Sequence, residues 1–180
     1  MAAIFHYWSF EITLFRKIIE SHAPTSVILI RLIVGAVFVS EGIQKFLYAD
    51  ENGIGRFTGI GIPYPDLSAP FVGMVEIVCG AFILVGLMTR LAAVPLIINM
   101  IVAIVSTKIP ILLGYGFWGF SLRKVSYYGF WGMAHETRTD WSMLLGSLFL
   151  LIVGAGKLSV DALLDKRQRE VDEGERAGNI

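Results

Sequence analysis

The sequence predicts an all-α integral membrane protein, a four-helix bundle preceded by an amphipathic helix at the membrane surface. Hydrophobic residues make up 55% of the 180-residue chain and charged residues only 17%, and the mean hydropathy is +0.67. Apolar segments of about 17 to 21 residues recur, long enough as helices to cross a hydrocarbon core about 30 Å thick. A water-soluble domain of this size needs more charged residues to cover its surface.

The composition also excludes several classes of function. Fifteen basic and fifteen acidic residues cancel, so the chain has no excess positive charge with which to bind nucleic acid. Cys79 is the single cysteine, which excludes an intrachain disulfide and a CxxC redox pair. No dense spacing of His, Cys and carboxylate ligands predicts a metal site, and no span carries the facing histidines that a membrane haem requires.

The first element, residues 1–24, has helical periodicity but too many charges for a span. Its apolar side chains recur at steps of three and four residues, and Arg16 and Lys17 lie on the opposite side. This pattern favours a helix in the plane of the headgroups. The alternative is a helix that packs on a partner subunit. The apolar stripe consists of Ile4, Trp8, Ile12, Phe15 and Ile19.

A helical membrane domain is predicted to follow over residues 25–164, with spans at 26–47, 69–88, 91–107 and 141–158. Asp66 or Ser68 can cap the second span, and Pro70 suits its first turn. Only Thr89 and Arg90 separate the second and third spans, so these two helices must form an antiparallel hairpin. Residues 165–180 are charged and lack aromatic side chains, which predicts a frayed helix end or a disordered tail.

The stretch 108–139 is rich in both glycine and aromatic residues. It has too much glycine for a regular span and too many aromatic rings for a solvated loop. We expect it to lie at the membrane interface and to fold over one end of the bundle. Its Trp118 and Trp131 are candidates for stacking on a flat quinone-like ring, and bilayer anchoring is the alternative explanation of both side chains.

Four spans place both termini on one side of the membrane. The terminal side has a slight excess of basic residues, concentrated in the KRQR sequence that begins at Lys166. The positive-inside rule therefore predicts cytoplasmic termini in a multi-pass protein.

Two faces of the predicted spans carry small and charged residues at helical spacing. Small residues at these steps let helix backbones approach closely, and charges inside spans are costly enough to face protein. We therefore expect the two faces to pack together. On span one the face comprises Arg31, Gly35, Phe38, Gly42 and Lys45, and on span two it comprises Gly73, Glu76 and Gly80.

Depth along the antiparallel spans sorts the charges into two groups. The outer group contains Glu41, Lys45 and Glu76, and the residues just before span four, His135, Glu136 and Asp140, enter at the same level. It is either an ion pair that fixes helix register or a polar pocket in which a carboxylate or His135 exchanges protons with a ligand. A hydrogen-bonding role in a loop is the alternative for His135. The inner group comprises Arg31, Arg90, Lys157 and Asp161.

Four sequence segments resemble the DoxX family of small four-span membrane proteins: RLIVGAVFVSEGIQKF, GIPYP, EIVCGAFILVGLMTRLAA and GAGKLSVD. The resemblance implies a location in the bacterial inner membrane. It also implies a role as a quinone-associated or redox-complex subunit, with quinone as the candidate cofactor. The chain carries no evident redox centre, so electrons would come from a redox partner subunit.

Other functions stay open at this point. The chief alternative is a non-enzymatic membrane scaffold that organises partners through its N-terminal segment and charged tail. A carrier of small solutes that uses the polar face of span one is a third candidate. The sequence does not identify the substrate, and association with a second copy of the chain stays open.

Overall fold

A computed structural model describes residues 23–178, and these residues form helices joined by turns and one irregular stretch, residues 114–129. The predicted interfacial segment, residues 1–24, lies almost entirely outside the described residues. The helices are α1 (Val27–Leu47), α2 (Ile54–Ile60), α3 (Pro65–Val85), α4 (Thr89–Ala103), α5 (Ile109–Leu113), α6 (Phe130–Val153) and α7 (Val160–Gly178), with a π-helical segment at Ile104–Lys108.

Three helical runs in the described part of the chain are long and apolar enough to cross a membrane. They are Val27–Leu47, Pro65–Val85 and Thr89–Leu113, with mean hydropathies between 1.9 and 2.2. Together with α6 they pack around a core that includes Val34, Phe38, Ile83, Leu96 and Leu150. The prediction of an all-α membrane bundle is thus confirmed.

The third run is longer than the predicted span 91–107. The helical path continues through Lys108 into α5 and ends at Leu113. Lys108 does not end the helix because an ion pair neutralises its charge inside the protein. Pro110 does not end it either, because it lies in the first turn of α5, where the missing N–H costs little.

Helix α6 differs from the predicted fourth span, 141–158, at both ends. It begins at Phe130, so its first half carries Glu136, Arg138 and Asp140, and this helix does not meet the criteria of length and apolarity that identify the three spans. It ends at Val153 because Gly154, with φ of 86°, leaves the right-handed helical conformation.

The C-terminal tail is helical, whereas the sequence predicted a frayed end or disorder. Helix α7 continues to Gly178. Oppositely charged side chains one turn apart support it, with Arg169 Nη2 2.9 Å from Asp165 Oδ2 and Lys166 Nζ 3.7 Å from Glu170 Oε1.

Helices α1 and α3 pack with their backbones in contact along the predicted glycine faces. A Cβ atom on Gly42 would lie 2.6 Å from the carbonyl oxygen of Gly73, and one on Gly80 would lie 3.0 Å from that of Gly35. Glycine is therefore required for this separation. The contact sets the register that brings Lys45 beside Glu76.

Polar side chains stabilise the opposite end of the bundle, where α3 turns into α4. Arg31 is 2% exposed and donates to four backbone carbonyls. The Asp161 carboxylate accepts hydrogen bonds from the backbone N–H groups of Met88 (2.7 Å) and Thr89 (3.1 Å). The predicted inner group therefore has a buried part, Arg31 and Asp161, while Lys157 is exposed. The Arg31 acceptors are the carbonyls of Ile83 (2.9 Å), Leu84 (2.7 Å), Ala155 (3.1 Å) and Leu158 (2.5 Å).

We predict that Gly42→Ala lowers the stability of the folded protein by about 1–3 kcal/mol, because the added methyl group would overlap the Gly73 carbonyl. The measurement is the thermal midpoint of the purified protein in mild detergent. Gly59→Ala is the matched control, since a Cβ atom on Gly59 meets nothing within 4 Å. Equal midpoints for the two variants would contradict the close approach of α1 and α3.

Candidate functional site

A cavity of about 470 Å³ lies between the helices near the C-terminal end of α1. One part of its wall is apolar and contains Phe38, Ile60, Val72, Met100 and Met143. The rest carries a concentration of charge that is unusual within a membrane bundle. The charged lining residues are Glu41, Lys45, Arg56, Glu76, Lys108, Glu136 and Asp140.

The first ion pair in the cavity joins α1 to α3. Lys45 Nζ lies 2.5 Å from Glu76 Oε2, and their side chains are only 10% and 3% exposed. Asn99 on α4 donates its amide N–H to the other carboxylate oxygen, Glu76 Oε1, at 2.6 Å. Both oxygens of this buried carboxylate are therefore satisfied, as a charge away from water requires.

The structure separates Glu41 from this pair. Glu41 lines the same cavity, but its side chain is exposed, and in residues 23–178 it forms neither a hydrogen bond nor an ion pair. The three-residue cluster expected from the sequence is thus a Lys45–Glu76 pair completed by Asn99. Asn99 was missed, although a lone amide within the apolar sequence LIINMIVA is a signal that could have indicated it.

A second ion pair joins the third membrane run to α6. Lys108 Nζ lies 3.1 Å from Asp140 Oδ2, and the Lys108 side chain is 6% exposed. Lys108 ends the π-helical segment, in which Ser106, Thr107 and Lys108 are all buried and all line the cavity. π-Helical turns occur frequently at functional sites. Sequence reasoning missed this pair because it assigned Lys108 to an irregular stretch.

A third ion pair, Arg123 Nη1 to Glu136 Oε2 at 3.7 Å, is more exposed. Glu136 lines both the large cavity and a neighbouring pocket of about 70 Å³. His135 lines only the smaller pocket. His135 is exposed, and one of its ring nitrogens lies 3.0 Å from Arg138 Nη1. The structure therefore places His135 apart from the Lys45–Glu76 pair.

Trp118 and Trp131, the candidates for stacking on a cofactor, do not line the large cavity. Their side chains are 85% and 76% exposed. Trp118 belongs to the irregular stretch, which contacts α2 through a hydrogen bond from the Ser121 N–H to the Ile60 carbonyl at 2.7 Å. These exposures fit aromatic anchoring at the membrane interface better than a ring-binding pocket.

The geometry of the cavity supports binding of an amphipathic small molecule and exchange of protons with it. Apolar side chains can contact a ring or chain, while ammonium and amide groups can donate to an oxygen atom. Carboxylates that are hydrogen-bonded within the protein can take up or release protons. Among the described residues, no group of three or more His, Cys, Asp or Glu side chains is placed to hold a metal ion.

We predict that Lys45→Met alone reduces the yield of folded protein severely, because it leaves the buried Glu76 carboxylate without its cation. Loss of one partner from a buried pair typically costs about 3–5 kcal/mol, and loss of both can cost much less. Lys45→Met combined with Glu76→Gln should therefore recover much of the lost stability. The measurement is the free energy of unfolding of each variant in detergent.

The control for this cycle is Lys45→Met combined with Glu41→Gln. Glu41 lies one turn from Lys45 but forms no ion pair with it, so the two effects should add. If the stability lost by the Lys45→Met, Glu76→Gln variant also equals the sum of the losses of its two single variants, the ion pair contributes no coupling energy. The role given to the pair in the site is then wrong.

Comparison with known proteins agrees with the membrane architecture. The pattern of the DoxX family matches residues 26–109. The uncharacterized membrane protein Rv3486 of Mycobacterium tuberculosis is 54% identical over 151 residues, which cover 84% of this chain and 88% of that protein. The Bacillus subtilis protein named "Putative oxidoreductase CatD" is 27% identical over 153 residues, which cover 85% and 92%. No solved structure matches the chain significantly. The matched segment begins with α1 and includes the Lys45–Glu76 pair and Asn99. By this match and the similarity to the Mycobacterium tuberculosis protein, the chain belongs to the DoxX family.

Proposed function

We propose that this protein is the membrane subunit of a quinone-linked redox complex and that the cavity binds the quinone headgroup. The observation that carries the proposal is the combination, in one cavity, of an apolar wall with a buried carboxylate, Glu76, and two half-buried donors, Lys45 and Asn99. A volume of about 470 Å³ falls within the range of small-molecule sites, roughly 300–1,000 Å³.

The lining residues offer the two kinds of contact that a quinone needs. Phe38, Met100 and Met143 provide an apolar surface for the ring. The Lys45 ammonium and the Asn99 amide already donate to Glu76, and each has further N–H groups for a carbonyl oxygen.

Proton supply is the chemical contribution that this chain can make. Reduction of a quinone to a quinol takes up two electrons and two protons. Glu41, Glu76 and Asp140 line the cavity and can pass protons between water and a bound oxygen atom. In this proposal a partner subunit that carries the redox centre supplies the electrons.

The printed name of the Bacillus subtilis relative, "Putative oxidoreductase CatD", supports a redox role. A scaffold without catalytic activity is the second candidate. It is favoured by α7, whose charged side chains and exposed Leu163 and Val171 offer a surface to a partner protein.

We predict that protein purified in mild detergent carries quinone in its lipid extract and binds a water-soluble quinone analogue. Glu76→Gln should weaken binding of the analogue at least about tenfold, because it disrupts the contacts that hold the Lys45 and Asn99 donors in place. The measurement is a binding titration, with melting curves to establish folding. Glu170→Gln on α7, whose side chain is 64% exposed, is the control.

If the folded wild-type protein binds no quinone and co-purifies with no redox subunit, the quinone proposal is wrong and the scaffold is favoured. Mass spectrometry of the proteins that co-purify in the same preparation shows whether a redox subunit is present.

We also propose that the protein lies in the bacterial inner membrane with both termini in the cytoplasm, which places the cavity toward the outer face. Single cysteines at Glu51, Lys124 and Glu170 in a Cys79→Ser background test this, since all three positions are exposed. An impermeant maleimide added to intact spheroplasts should label positions 51 and 124 and spare 170. Labelling of 170 alone would show the reverse orientation.

A further inference from the structure

Arg56 differs from the other cations around the cavity. Lys45, Lys108 and Arg123 each have a carboxylate within 4 Å, at 2.5, 3.1 and 3.7 Å respectively. Arg56 also lines the cavity and is half-buried. Within the part of the chain that the structure describes, its guanidinium forms no hydrogen bond and no ion pair.

The backbone holds Arg56 in a fixed position. It lies in α2 between Gly55 and Phe57, and the Phe57 and Ile60 side chains are 9% and 5% exposed. The hydrogen bond from the Ser121 N–H to the Ile60 carbonyl ties α2 to the irregular stretch. The guanidinium is therefore presented to the cavity by a packed helix.

A half-buried arginine whose guanidinium has no partner among residues 23–178 is suited to bind an anion. Partial removal from water makes an unpaired charge costly, and the planar fork of five N–H donors matches the oxygens of a phosphate group. Asn52 lines the cavity too, and its amide, which donates one N–H to Gln44 Oε1, has a second N–H for an anion.

We propose that Arg56 is the central residue of an oxyanion site at the outer end of the cavity, which binds a phosphate group carried either by a lipid headgroup or free in solution. The position of Arg56 indicates a location at one membrane interface, which is the outer one in the orientation proposed above. It follows α1 and precedes α3, so it lies where these two spans meet the membrane interface, at the depth of lipid phosphates. Arg56 shares the cavity with the proposed quinone contacts Lys45, Glu76 and Asn99 but is not part of their hydrogen-bond network.

The test uses the full-length protein, stripped of lipid in a maltoside detergent that contains no phosphate. One arm titrates phosphatidylglycerol and counts bound lipids by native mass spectrometry. The other arm titrates inorganic phosphate by calorimetry. Arg56→Gln should weaken binding of at least one probe about tenfold or more, and Arg56→Lys should weaken it less, because the charge remains while the planar fork is lost.

Two controls complete the design. Arg138→Gln removes an exposed arginine that does not line the cavity and should leave both affinities unchanged. Glu41→Gln should raise them, because it removes a negative charge from the same cavity. Melting curves establish that each variant is folded, and Arg56→Lys carries the test if Arg56→Gln does not fold.

Binding of phosphatidylglycerol alone would assign the site to a lipid headgroup, and binding of inorganic phosphate alone would assign it to a free anion. Binding of both supports the shared oxyanion chemistry. The proposal is overturned if the wild-type protein binds neither probe, if Arg56→Gln (or Arg56→Lys in its place) binds as tightly as wild type, or if Arg138→Gln loses as much affinity. None of these readouts requires quinone, so a negative quinone titration does not affect them.

Discussion

The backbone contact between α1 and α3 is the constraint on which the site depends. Gly35 and Gly42 meet Gly80 and Gly73 at distances that no side chain can enter. In a bilayer such contact gains dispersion energy that lipid chains cannot match as well. It also fixes the relative depth of the two helices. Lys45 and Glu76 can pair at 2.5 Å because the glycine contacts allow only one register between α1 and α3.

At the other end of the bundle, charged side chains form hydrogen bonds with backbone groups that the helices leave unpaired. The last carbonyls of α3 and those that follow α6 lack the partner four residues ahead that a continuing helix would supply, and Arg31 supplies donors to both sets. The Ile83 carbonyl also accepts a hydrogen bond from the Gly86 N–H. Asp161 supplies acceptors to the first N–H groups of α4. One cation and one anion thus complete backbone hydrogen bonding where lipid offers no substitute.

The sequence predicted what depends on periodicity and missed what depends on local backbone geometry. Spacing by turns of a helix predicted the glycine faces and the meeting of Lys45 with Glu76, because both follow from two regular helices. It did not predict that Glu41 stays outside the ion pair. Glu41 and Lys45 are four residues apart and share one helix face, so the spacing does not show which carboxylate pairs with Lys45. Lys108 and Asp140 were not expected as a pair, because the sequence gives no period that identifies a π-helical turn or extends α6 back to Phe130.

The π-helical turn makes the polar side of the cavity depend on backbone geometry as well as on side-chain identity. Such a turn accommodates one more residue than an α-helical turn does, so it absorbs a residue that would otherwise rotate the rest of the helix by about 100°. If the segment Ile104–Lys108 were α-helical at the same chain length, the side chains that follow would rotate by about that angle relative to α4. Lys108 would then face away from Asp140, even though every polar residue of the site was still present in the chain. The same amino acids would therefore form a cavity of different polarity in a helix without the π-helical turn.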